Sequence, residues 1–182
     1  MFDRTTRAGR VRVIARGTVL RLALALLLGF AAGGGGAEAA GAPEAPEARE
    51  AATRKGVQAT LDAYRELSAA GRWEELMRLY ADDPRFRWLS NGRVEARSVE
   101  QIRKYFAALP PGTRVETTYQ DTEITPIAPG VAMVTTLFQT RLVDSKGGGF
   151  SFGGALTMTL VERADGWKIL NGHASGAAGQ GR

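Results

Sequence analysis

Cysteine is absent from the 182-residue chain, which rules out disulfides, thiolate metal sites, a cysteine nucleophile and an acylated lipoprotein cysteine. Histidine occurs once, at His173. One imidazole without an HxxxH or HxH partner cannot build a multi-histidine centre, so no metal is expected. The glycine-rich turn from Asp144 to Gly149 has Lys146 ahead of its glycines and no strand-to-helix crossover after it. No glycine fingerprint leads from a strand into a helix either, so no cofactor is expected. The charge has an uneven distribution. Residues 1–40 carry six arginines against Asp3 and Glu38, whereas residues 41–182 carry 18 basic and 17 acidic side chains. A region so nearly neutral offers no electrostatic footprint for nucleic acid, and no nucleic-acid partner is expected.

What is present at the N-terminus has the order of an export signal. Arginines precede the apolar run Leu22 to Ala32, broken only by Gly29, and small residues follow to Ala40. As a helix that run would rise about 16 Å, well short of the roughly 30 Å hydrocarbon core. Residues 1–39 are therefore expected to be a secretory signal peptide or an N-terminal anchor. The expected location is periplasmic or secreted, or anchored facing the periplasm if residues 1–39 are uncleaved, with membrane contact only through that segment. Residues 40–50, rich in Ala, Pro and Glu, have no apolar period and are expected to form a flexible tether. The folded domain is placed at 51–175, with a disordered tail at 176–182.

From Ala51 the apolar spacing becomes helical. Val57, Leu61, Tyr64 and Leu67 or Ser68 share one side of a helix over 51–69, which Gly71 ends. Trp73, Leu76, Met77 and Tyr80 mark a second, shorter helix stopped by Pro84. Asp82 or Asp83 behind it can accept backbone or arginine donors and fix the turn to Arg85. Phe86, Trp88 and Leu89 form a short strand before the Asn91-Gly92 hairpin turn. Ser98 with Gln101 three residues on is a capping box for a third helix, whose stripe is Val99, Ile102, Phe106 and Leu109.

After Pro110-Pro111-Gly112 the period falls to two. Val115, Thr117 and Tyr119 alternate with Glu116, Thr118 and Gln120, the mixed polarity of a strand with one face partly wet or lining a polar cavity. Val131 to Val143 is apolar on both sides at its start and needs cover on both, which makes a homodimer an expectation. Phe152, Leu156, Met158 and Leu160 alternate along the next strand. Trp167, Ile169, Asn171, His173 and Ser175 fall on one face of the last.

The run AYRELSAAGRWEELMRLYADDPRF, with glycine between two helices, together with GRVEARSVEQIRKYFAAL and GWKILNGHAS, resembles the nuclear transport factor 2-like superfamily in its SnoaL-like and ketosteroid-isomerase-like branch over residues 51–175. The resemblance implies an α+β fold: a curved antiparallel sheet wrapped around three N-terminal helices as a cone-shaped α+β barrel of cystatin-like arrangement. It also implies a cavity between helices and sheet, with Tyr64 where the isomerases of the group carry an oxyanion-stabilising tyrosine. Their base aspartate is replaced here by Trp88. The expected ligand cavity comprises Tyr64, Trp73, Tyr80, Trp88, Phe138 and Asn171, and the expected ligand is a small apolar or ring-bearing molecule. Two alternatives stand beside simple binding. One is a cofactor-free isomerase, hydratase or cyclase, with His173 as catalytic base and Tyr64 as oxyanion donor. The other is a protein-interaction module using the outer sheet face.

Overall fold

The computed structural model describes residues 45–176. The expected signal peptide or anchor, residues 40–44 of the expected tether and the C-terminal tail beyond Gly176 lie outside the described residues. Helix α1 spans Pro46–Ala69, five residues ahead of the expected start at Ala51. Proline in the first turn loses no hydrogen bond, and Glu47 complements the positive end of the helix dipole, so this segment is a competent helix start despite its lack of apolar residues. Its buried side carries Thr53, Val57, Thr60, Leu61 and Ser68. Gly71, with φ of 67°, takes the left-handed turn that releases the chain into α2, Trp73–Met77.

A hairpin of β1 (Arg87–Ser90) and β2 (Arg93–Ala96) follows, turned through Asn91 and Gly92, both at positive φ. Helix α3, Val99–Ala107, starts at Ser98, whose side chain accepts from the Gln101 backbone N–H. The Gln101 side chain reaches back to the Arg97 backbone N–H at 2.6 Å, one residue beyond the usual capping-box partner. Four long strands complete the domain: β3 (Arg114–Ala128), β4 (Val131–Val143), β5 (Gly149–Arg163) and β6 (Gly166–Gly176).

The architecture is α+β, but the expected wrapped antiparallel sheet and cone-shaped barrel are not found. The strand order is β2-β1-β6-β5-β4-β3, so the edges β2 and β3 do not pair and the sheet stays open, neither closed into a barrel nor strongly curled. It is also mixed, because β1 runs parallel to β6 while every other neighbouring pair is antiparallel. The chain order gives the reason. It leaves the sheet at edge strand β2 and returns at the opposite edge, β3, through α3, so a helix connects the edges and no ladder joins them.

One core lies between the helices and one sheet face. Val57 and Leu61 from α1, Leu76 from α2, Phe86, Val134, Leu160 and Ile169 are at most 1% exposed. A smaller cluster of Ala81, Val161 and Leu170 packs on the opposite face of the sheet. Between these two groups β6 contains a bulge. Thr159 pairs with Asn171 and Leu160 with Ile169, leaving Leu170 without a partner on β5. At the same point Ile169 exchanges backbone hydrogen bonds with Leu79 and Ala81, before β1 takes up the edge of β6 from Asn171 onward.

Candidate functional site

The bulge decides which side chains of β6 reach the helix side. Trp167 and Ile169 belong to the core, but the extra residue at Leu170 reverses the alternation beyond it. Gly172 and Ala174 then face inward, Gly172 against the Trp88 ring. Asn171, His173 and Ser175 alternate with them on the opposite face, where His173 pairs with Thr157 and Asn171 with Thr159. His173 is exposed and Asn171 half-buried.

Inside, between α1, α3, the β1–β2 hairpin and β3 to β6, is a cavity of about 430 Å3, within the range of pockets that hold small molecules. Phe138, Leu156 and Met158 supply its apolar wall, and Trp88 and Phe106 close its sides. Tyr80 is the hub of its aromatic end, with edge-to-face contacts to Tyr64 (centroids 6.2 Å apart), Phe86 (5.8 Å) and Trp88 (6.2 Å). The Tyr80 hydroxyl donates to the Tyr64 oxygen at 3.3 Å. That oxygen has accepted, so the Tyr64 proton remains for a ligand. Tyr119 on β3 adds a third hydroxyl to the wall. Thr117 and Thr140 satisfy one another across β3 and β4 at 2.9 Å.

Burial pushes the Tyr64 hydroxyl above the ordinary tyrosine pKa, an effect the Tyr80 hydrogen bond partly offsets. Burial pushes Tyr80 well above it, with the neighbouring Tyr64 adding to the rise, and burial likewise raises Tyr119. All three are therefore neutral donors near pH 7. The single carboxylate in the wall is Glu95, on β2.

Of the expected site residues, Tyr64, Tyr80, Trp88 and Phe138 are brought together around this cavity. Trp73 is not in its wall, because it stacks flat on Phe106 at 4.9 Å, against α3. Asn171 and the expected base His173 are turned away by the bulge, which separates His173 from Tyr64, its proposed catalytic partner. Sequence reasoning missed Glu95 and Ala174. Tyr119 had a signal in its alternation with Thr117 and Val115, all of which line the cavity. Glu95 had none, since its position depends on an irregularity of pairing.

A family model described as a SnoaL-like domain matches residues 57–179. Among solved structures, the chain is similar to a Xanthomonas campestris protein provisionally assigned as a calcium/calmodulin dependent protein kinase II association domain. The two are 23% identical over 77% of this chain and 94% of that one, with a TM-score of 0.57. A Novosphingobium aromaticivorans protein provisionally assigned as a scytalone dehydratase is 13% identical over 71% of this chain and 87% of its own, with a TM-score of 0.64. A nuclear transport factor 2-like superfamily protein from Salmonella enterica is 15% identical over 73% and 99%, with a TM-score of 0.59. At such identities these likenesses concern the fold alone. None of the curated proteins compared matches the chain.

Proposed function

The chain belongs to the SnoaL-like domain family, and from that premise we propose that its cavity binds a small, mostly apolar, ring-bearing molecule through an oxygen acceptor. The observation that carries this reading is the Tyr80–Tyr64 hydroxyl pair in a mostly apolar wall. Tyr80 fixes the Tyr64 oxygen, and the remaining Tyr64 proton is a donor for a carbonyl or phenol oxygen. Aromatic edges and faces from Tyr80, Trp88 and Phe106 match a flat ring system. Proton transfer with His173 as base has no support in the geometry, since that imidazole lies on the far face of the sheet.

Calorimetric titration of 2-naphthol and of naphthalene tests the reading. The hydroxyl-bearing compound is expected to bind about three- to tenfold more tightly, the scale of one net hydrogen bond. The double variant Tyr64→Phe with Tyr80→Phe is expected to erase that preference while leaving naphthalene binding in place. Both tyrosines are changed because Tyr80, deprived of its acceptor, would otherwise donate to the ligand itself. Absence of binding by either compound, or a preference that survives in the double variant, overturns the reading.

A further inference from the structure

Regular alternation along β2 would turn Glu95 and Ala96 to opposite faces, yet both line the cavity. The cause is a bulge. Trp88 pairs with Ala96 and Leu89 with Val94, so Glu95 is the extra residue with no partner on β1. Bulges re-aim side chains, and this one brings a carboxylate to a cavity whose other polar groups are mainly donors and hydroxyls. Glu95 is exposed as well as cavity-lining, so it stands at the opening, while Tyr80 is buried and Tyr64 half-buried. It forms no hydrogen bond or ion pair with any described residue, although Arg93 and Arg97 lie two positions to either side and the described residues include seventeen basic side chains. Tyr105, 65% exposed, lines the same opening, and Trp88 lines the wall on β1.

On the reading of the cavity given above, we propose that Glu95 is a specificity residue. It selects ligands that carry a protonated amine at the end opposite the oxygen held by Tyr64. A carboxylate without an internal partner is available to an incoming cation, and the aromatic faces beside it favour the same charge. The two ends of the site then have opposite chemistry: neutral donors in the depth, and one anion at the mouth. A carboxylate-bearing ligand of the same shape is disfavoured at that mouth.

Three compounds of one shape test this on the full chain: 6-methyl-2-naphthol, 6-(aminomethyl)-2-naphthol and 6-hydroxy-2-naphthoate. For the unmodified protein at low salt the amine is expected to bind about tenfold more tightly than the methyl compound, a scale set by one charge pair near a protein surface. The naphthoate is expected to bind more weakly than either, and the amine preference to shrink as ionic strength rises. In Glu95→Gln the amine falls to the level of the methyl compound. In Glu95→Lys the order reverses in favour of the naphthoate. Methyl-compound binding without an amine preference, or an amine preference unaltered by Glu95→Gln, overturns the role of Glu95 and leaves the cavity reading standing. Failure of all three compounds to bind the unmodified protein overturns both.

Discussion

Gly172 carries no side chain at the point where β6 passes under the Trp88 ring, and a Cβ there would overlap that ring. Because Trp88 also lines the cavity, the glycine sets how far the indole withdraws from the ligand space. Gly172→Ala is expected to push the ring into the cavity. The anticipated consequences are a shift in tryptophan fluorescence, weaker 2-naphthol binding and a stability loss of about 1–3 kcal/mol, as for other overpacked sites. An unchanged spectrum with unchanged affinity would show that the ring has another place to go. At this scale much of the site was legible. Tyr64 and Tyr80 stood on helical stripes, and Phe138 on an alternating strand. Asp83 accepts the Arg85 backbone N–H at 2.9 Å and the Arg85 and Arg163 side chains, as the sequence led one to expect of an acid before that turn. Glu95 was not legible, since nothing in its neighbours announces that β2 has one residue more than β1 can pair.

The long strands impose a different constraint, because β5 must approach β6 closely near its start. Gly154 pairs opposite Gly176, and a Cβ on Gly154 would collide with the backbone carbonyl of Ser175, which cannot rotate away as a side chain could. Gly154→Ala is expected to part the β5–β6 ladder there. Hydrogen exchange should quicken at the end of β6, and global stability should fall by about 1–3 kcal/mol. Exchange at Lys168 and Ile169, on the other side of the bulge at Leu170, should change little; uniform loss of protection along β6 would contradict this local picture. The period-two pattern identified β6 as an element but misassigned half its faces. Alternation carried unbroken from Trp167 predicts His173 inward, and one extra residue at Leu170 reverses it. A bulge follows from what the neighbouring backbone offers, here Leu79 and Ala81 bonding to Ile169, and that information is not local to the strand.

Across the whole molecule, helix and strand identities were legible while the strand neighbours were not. Hydrophobic period shows that β1 is a strand, but it cannot show that β1 lies parallel to β6 or that α3 carries the chain between two unpaired edges. What those neighbours create is a domain that gathers Tyr64, Tyr80 and Tyr119 around one space, and this has a consequence for stability as a whole. All three folded-state pKa values are raised above the ordinary tyrosine value of 10.0, chiefly by burial. In the unfolded chain these phenols ionise near pH 10, whereas in the folded protein they keep their protons to higher pH. Above that point the folded state binds more protons than the unfolded state, so unfolding becomes easier as pH rises. Each tyrosine contributes full stability below pH 10.0 and loses it through the interval up to its own raised value. The slope is at most about 1.4 kcal/mol per pH unit for each fully shifted group. Urea melts between pH 8 and 11 are expected to show a downturn beginning near pH 10. In the triple variant carrying phenylalanine at 64, 80 and 119 the downturn should be shallower, whatever the variant's stability at pH 8. Parallel curves for the two proteins would mean that the alkaline loss arises elsewhere and that the cavity does not hold these hydroxyls neutral.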